Sequence, residues 1–308
     1  MAETSEELRP FLFSIAYRMV GSVAEAEDIV QDAFVRYQQA VSYRPDEIDS
    51  PRSYLAAVTS RLAIDHLRSA RVRRETYPGE WLPEPLLTEE MPLDGERYVE
   101  QADSLSMAFL VLLEQLNPVE RAVFLLRDVF DYGYDEIARI VGKSEDNCRQ
   151  LAVRARRHIE AEKPRFAATR AQHERLAARF FEAVGNGDLA SLVELLAADV
   201  AVYGDGGGKA PSVPQPVFGR ERVIALLRTL HETWRDLDVS VRRTEVNGQP
   251  GALFFDSSGL VVGAWTLDIA GGVVQTIRSV TNPDKLRHLG QPADLRALLR
   301  ERSQRRFG

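Results

Sequence analysis

"GYDEIARIVGKSEDNCRQLAVRARRHI", residues 133–159, reads as a short helical stretch, a glycine break and a longer, increasingly basic helix. Gly142 ends the first helix and Ser144 caps the second. Cys148, Leu151, Ala152, Ala155 and Ile159 fall on one face of the second helix, with Arg149, Gln150, Val153, Arg154 and Arg157 largely on the other. A helix, a tight turn and a capped second helix are the parts of a helix-turn-helix, which lays its second helix in the DNA major groove. Asp146, Asn147, Arg149 and Gln150 occupy its first turns, where side chains reach base edges. Arginine can read guanine bidentately, and asparagine or glutamine can read adenine. Arg154, Arg156 and Arg157 suit phosphates, which position a protein without specifying sequence. The competing reading is two packed helices with a solvated charged face.

The whole chain is long enough for two or three compact units. It has 308 residues, 44% hydrophobic and 28% charged, the balance of a soluble globular protein. No uncharged apolar run is long enough to span a membrane, and the N-terminus lacks the pattern of a signal peptide. The single cysteine, Cys148, excludes an internal disulfide and suits a reducing cytoplasm. Five histidines at no metal-ligand spacing argue against a zinc site, and no cofactor motif appears. A net charge of −7 argues weakly against nucleic acid, but the charge is segregated. Residues 61–74 carry Arg61, Arg68, Arg71, Arg73 and Arg74 against Asp65 alone, and residues 84–103 are strongly acidic. Residues 149–165 are basic again.

Residues 6–74 read as helices: Ser22 and Glu25 form a capping box, and Ser50-Pro51 starts another helix. Ala26, Ile29, Val30, Ala33, Phe34 and Tyr37 make an apolar stripe, with Asp28 and Asp32 on the opposite face. Residues 75–103, rich in proline and acid, predict a linker with little regular structure. A second helical unit spans 104–165 and contains Asn117-Pro118-Val119-Glu120, which resembles a capping box. From about 168 the pattern changes: two helical stretches (168–184 and 189–197) precede strand-like runs at 200–204, 237–246, 251–257, 259–270 and 273–280. Helices followed by an antiparallel meander predict an α+β domain over 168–290. A basic tail, 291–308, carries Leu295, Leu298 and Leu299 at helical spacing. It could pair with the acidic linker or DNA phosphates, or fray.

"FLFSIAYRMVGSVAEAEDIVQDAFVRYQQA" (11–40), "SYLAAVTSRLAIDHLRS" (53–69) and "LNPVERAVFLLRDVFDYGYDEIARIVGKSEDNCRQLAVRARRHI" (116–159) resemble regions 2 and 4 of extracytoplasmic-function sigma factors, in that family's order and spacing. "WLPEP" (81–85), "DGGGK" (205–209) and "NPDKL" (282–286) look like the SigJ-type subfamily, which carries a SnoaL-like C-terminal domain. The resemblance implies two all-α sigma domains (1–74 and 104–165) joined by the linker, plus an α+β cone of the NTF2/SnoaL type. It implies that Asp28, Gln31 and Asp32 dock on the β′ coiled coil of RNA polymerase core, with region 4 on the β flap. Tyr54, Arg61, Asp65 and Arg68, spaced along one helical face, would melt and read the −10 element. The helix of 145–159 would read the −35 element. Many members have asparagine where Arg61 stands, so the base preference at −10 does not transfer.

In enzymes of the cone fold the pocket holds a general base and donors for an enolate oxygen. Tyr203, Asp205, His231, Trp234, Trp265 and Asp268 are the candidates here, with no clear base-plus-donor pair, and the two tryptophans read better as core. The expected role is regulatory. Asp205, Gly206, Gly207, Gly208 and Lys209, with Asn282, Pro283, Asp284 and Lys285, would dock on the linker at Trp81 and Pro83. The predicted protein is a cytoplasmic sigma factor, monomeric when free and non-catalytic, regulated in cis by the cone, with room for a small ligand in its pocket. Its rivals are a helix-turn-helix regulator independent of polymerase, and an enzyme or ligand sensor fused to DNA-binding domains.

Overall fold

The computed structural model describes residues 5–43, 48–88, 103–162 and 170–307. The acidic residues from Glu89 to Glu100, residues 44–47 and residues 163–169 lie outside the described residues. The chain divides into two compact units. One comprises 1–76 and 91–163, the other 77–90 and 164–308. No helix among the described residues is long and apolar enough to cross a membrane.

The first unit is helical. Helices α1 (Ser5–Val20), α2 (Val23–Tyr43) and α3 (Pro51–Glu75) pack together through Leu12, Ile15, Val30 and Leu55, all almost fully buried. The expected caps are in place: the Ser22 hydroxyl accepts from Glu25 N at 3.2 Å and the Ser50 hydroxyl from Ser53 N at 3.3 Å. Next come α4 (Met107–Leu113) and α5 (Pro118–Phe124), the latter running into a π-helical turn, Leu125–Val129. Asn117 caps α5 by accepting from Val119 N and Glu120 N, while Glu120 reaches back to Asn117 N. Helices α6 (Tyr134–Val141) and α7 (Glu145–Glu162) are the helix-turn-helix of residues 133–159. Gly142 between them takes the left-handed conformation (φ 66°) that ends α6, and Ser144 caps α7 by accepting from Asn147 N. The apolar stripe of α7 is the buried one: Cys148, Leu151 and Ala152 pack with Val123, Leu126, Ile137 and Ile140.

Two buried arginines join the two halves of this unit. Arg18 of α1 donates to the Ser104 hydroxyl at 2.9 and 3.1 Å, and Arg121 of α5 donates to Met19 O and pairs with Glu114 at 2.8 Å. Burial pushes both guanidiniums down, Arg18 to about 10 and Arg121 to about 9.

In the second unit α8 (Arg170–Asn186), α9 (Leu189–Leu195) and α10 (Arg220–Asp236) cover a six-stranded sheet. Its strands are β1 (Leu196–Asp205), β2 (Val217–Phe218), β3 (Ser240–Val246), β4 (Gln249–Phe255), β5 (Val261–Ala270) and β6 (Val273–Val280). The order is β2-β1-β6-β5-β4-β3. The predicted meander is β3 to β6, joined at Asn247-Gly248 and Gly271-Gly272, all four with positive φ as two-residue hairpin turns require. The β1–β6 pairing is parallel, which a reading of neighbouring runs as a meander does not anticipate. Register shifts in β1, β4 and β5 bend the sheet. Two further segments belong to this unit. Ala293 joins the core and Leu295 and Leu298 of α11 (Leu295–Phe307) pack against it, so the basic tail is anchored by its few apolar residues. The linker segment 77–88 is built into it as well.

Candidate promoter-reading surfaces and linker clamp

In the helical unit, Asp28, Gln31 and Asp32 are all exposed on α2, over a face whose reverse carries the buried Ile29, Val30 and Ala33. Across the groove between α2 and α3, Glu25 pairs with His66 at 2.9 Å, and Asp65 adds a further acid. Along α3, Arg61, Asp65 and Arg68 are exposed and Tyr54 is half-buried, its ring 5.9 Å from that of Tyr37. Asp65 and Arg68 pair at 3.2 Å. Arg61 is engaged elsewhere. Its Nε donates to Ile140 O at 2.9 Å and its Nη2 to Arg139 O at 2.7 Å, filling two of the carbonyls that the end of α6 leaves without helical partners. One of the four α3 candidates is thus occupied by the helix-turn-helix.

Helix α7 presents a continuous exposed surface of Asp146, Asn147, Arg149, Gln150, Arg154 and Arg157. Arg149 is steadied by Glu145 at 2.9 Å and by the Tyr134 ring, 4.9 Å away. Arg154 lies 3.6 Å from Glu120, and Arg156 pairs with Asp128 at 2.6 Å, a contact that raises the affinity of its guanidinium for its proton.

In the α+β unit the three motif segments converge on one carboxylate. Asp205 ends β1 with no exposure, and its side chain accepts four hydrogen bonds. Oδ1 receives the Tyr77 hydroxyl at 2.6 Å and Gly207 N at 3.0 Å; Oδ2 receives Leu82 N at 2.9 Å and Lys285 Nζ at 2.7 Å. Lys285 also donates to Leu82 O and lies 4.2 Å from the Trp81 ring centre and 4.9 Å from that of Tyr77. The buried charge is therefore paired and fully hydrogen-bonded, the condition under which burial is tolerated. Asn282 donates to the Tyr77 hydroxyl at 2.8 Å, and Lys209 pairs with Asp284 across the rim. Burial, then the hydrogen bond to Asp205, holds the Tyr77 phenol above its ordinary pKa.

The glycines of 206–208 are needed for approach. A Cβ on Gly207 (φ 57°) would lie 2.2 Å from Asn282 Nδ2 and 2.9 Å from the Tyr77 hydroxyl, and one on Gly208 2.8 Å from Pro78. Gly207→Ala is expected to weaken this hold by about 1–3 kcal/mol of backbone strain plus the clash. Gly271→Ala (φ 60°), where a Cβ would meet nothing within 4 Å, supplies the strain alone. Thermal unfolding of the two variants, with protease cleavage at 77–88, checks the difference.

Trp81, Pro83, Asp205 to Lys209 and Asn282 to Lys285 are thus brought together, and the structure adds residues that the motifs did not contain. Tyr77 is one. Asn247, buried with φ 54°, donates its backbone N–H to Leu86 O at 2.7 Å and accepts from Leu86 N at 2.9 Å. Gly248 N donates to the Thr88 hydroxyl, and His288 Nε2 lies 2.6 Å from Pro85 O. An Asn-Gly pair is a hairpin signal, and nothing local marks it as a dock.

The cone's candidate bases are engaged elsewhere. Asp205 faces the linker, His231 Nδ1 lies 3.1 Å from Val184 O, and Asp268 is held by Arg278 and by Gln249 at 2.9 Å. Tyr203 packs edge-on to Phe218. Trp234, Phe254 and Trp265 cluster with ring centres 4.4–5.0 Å apart, as core residues would.

The architecture is a helix-turn-helix within a helical unit, and an α+β cone that holds residues 77–88. The models of Sigma-70 region 2, Sigma-70 region 4 and the SnoaL-like domain match residues 5–73, 106–159 and 177–281. The ECF RNA polymerase sigma factor SigJ of Mycobacterium tuberculosis is 37% identical over 289 residues, covering 91% of each chain. The "Probable ECF RNA polymerase sigma factor SigI" of the same species is 35% identical, covering 90% of this chain and 92% of its own. The crystal structure of M. tuberculosis SigJ superposes with a TM-score of 0.70 at 32% identity, covering 93% of this chain and 98% of its own. The chain belongs to the extracytoplasmic-function sigma factors that carry a SnoaL-like C-terminal domain. It is a transcription-initiation factor and not an enzyme.

Proposed function

We propose that this sigma factor acts in the cytoplasm as a monomer that recruits core RNA polymerase to promoters, with the cone holding its linker as an internal regulator. The exposed acids Asp28 and Asp32, with Gln31, offer the β′ coiled coil a polar face beside an apolar one. Region 4 meets the β flap. Tyr54, Arg61, Asp65 and Arg68 engage the −10 element, the aromatic for a splayed base and the arginines for backbone. Asp146, Asn147, Arg149 and Gln150 read −35, while Arg154 and Arg157 bind phosphate.

The observation that carries the regulatory part is the four-donor hold on Asp205, which ties residues 77 and 82 to the cone. Whatever fixes the linker fixes the reach of the segments on either side of it, so clasp and release are two states with different access to promoter. The pocket of the cone leaves room for a small ligand that biases them.

Run-off transcription from fragmented genomic DNA tests the reading, with core polymerase and this protein as sole sigma factor. Discrete transcripts sharing upstream −10 and −35 sequences are expected. Absence of transcripts together with failure to co-elute with core would overturn it.

A further inference from the structure

The cone encloses a cavity of about 310 Å³ between α10, the sheet and α11. That is the lower end of the roughly 300–1,000 Å³ range of small-molecule sites. Trp234, Phe254 and Trp265 form its floor, and Leu295 and Leu299 of α11 one lip. No acid, base or histidine lines it among the described residues. A charged ligand would therefore be buried without a counter-charge, at a cost that excludes it. The polar residues of the lining are Ser212, Thr233, Ser279 and Thr281, and the Ser279 Oγ accepts from Trp265 Nε1 at 2.8 Å and retains its own proton to donate. Thr233 and Thr281 direct their hydroxyls to Thr229 O and Pro211 O. The lining fits a neutral, largely hydrocarbon molecule with one hydroxyl or carbonyl oxygen.

The cavity and the linker hold are two sides of the same segments. A second lip is Pro211–Pro214, one residue beyond the 205–209 loop, and Thr281 of the wall directly precedes Asn282 to Lys285. Thr281 N and Asn282 N both donate to Asp205 O, at 2.8 and 3.0 Å. On the other lip, Arg296, next to Leu295, donates to Gly208 O at 2.6 Å. An occupant that parts the lips pulls on the loop from both ends. We propose that this cavity is an effector site for a neutral, mostly apolar molecule, and that filling it loosens the hold of Asp205 and Lys285 on the linker. The inference deepens the regulatory reading above and rests on it.

The test uses the full chain and the neutral fluorophore N-phenylnaphthylamine. Binding is followed by quenching of Trp234 and Trp265, and linker release by hydrogen exchange at the amides of Leu82 and Leu86, which donate to Asp205 and Asn247. Saturable one-to-one quenching is expected, with exchange at both amides faster by roughly tenfold or more when the site is full. Leu230→Phe and Thr233→Leu, two separate fillings of the cavity, should each weaken probe binding by roughly tenfold or more and abolish the exchange response. Non-saturable quenching, binding that survives both substitutions, or saturation with unchanged exchange would each overturn the inference and leave the linker hold standing. Rapid exchange at Leu82 and Leu86 in the probe-free chain would instead overturn the hold, and the effector coupling with it.

Discussion

The Asp205→Ala chain is expected to let go of its linker. The substitution removes the acceptor of four hydrogen bonds and takes the Asp205 carboxylate away from the buried Lys285 ammonium, 6% exposed. Breaking one half of a buried ion pair typically costs about 3–5 kcal/mol. Part of that falls on the cone and part on the docked segment, and the two are separable. Tyr77→Phe removes two hydrogen bonds, the 2.6 Å donation to Asp205 and the 2.8 Å acceptance from Asn282, and should cost about 1–3 kcal/mol. A double-mutant cycle of Asp205→Ala with Lys285→Met isolates the pair, because the double variant leaves no buried charge unpaired and should recover much of the loss. Thermal unfolding measures the totals, and protease cleavage between residues 77 and 88 reports docking. Cleavage unchanged in Asp205→Ala would mean that Asn247 and His288 hold the linker unaided. Promoter-dependent transcription by the same variants then reads the sign of regulation: a rise marks the clasp as inhibitory, a fall as activating.

What could be read in the sequence divides along the range of the interactions. Ser22, Asn117 and Ser144 were legible as caps, and Gly142 as a helix stop, because each satisfies backbone groups within three or four residues. Asp205 is different. Its donors Tyr77 and Leu82 lie 128 and 123 residues away, so no local pattern distinguishes it from a candidate base at a pocket rim. Only the resemblance joined DGGGK, NPDKL and WLPEP, and it left out Tyr77, Asn247 and His288, which sit outside those motifs. The tail was misleading for another reason. Its arginines dominate the composition, but Ala293, Leu295 and Leu298 decide its position through burial against the cone, with Arg302 bonded to Asp236 at 2.8 Å. Spacing put Arg61 on one face of α3 with Asp65 and Arg68, yet its bonds to α6 depend on a helix terminus 78 and 79 residues onward. An exposed guanidinium finds orphan carbonyls as readily as phosphate, and sequence does not rank the two.

Substitutions along α7 should sort into two kinds of defect. Arg149 and Gln150 sit in the first two turns, exposed, where a recognition helix meets base edges. Arg149→Ala and Gln150→Ala should each cost about 1–3 kcal/mol at the cognate −35 element and much less at a site altered at the contacted base pair. The preference at one position should therefore flatten while the others persist. Arg157→Ala, two turns further on, should weaken cognate and altered sites alike and reduce the slope of log K against log salt by about 0.9 for one lost phosphate contact. Arg149 carries a built-in opponent: its bond to Glu145 and its stacking on Tyr134 hold the side chain ready but must be partly exchanged for base contacts. Glu145→Gln should then strengthen binding at low salt without changing base preference, because it removes a competing charge and an acid close to DNA phosphate. Titration of a −35 duplex with polymerase holoenzyme, at several salt concentrations and with each base pair altered in turn, separates these outcomes. If Arg149→Ala weakened all sites equally, α7 would be a phosphate-binding surface, and −35 selectivity would have to come from DNA shape.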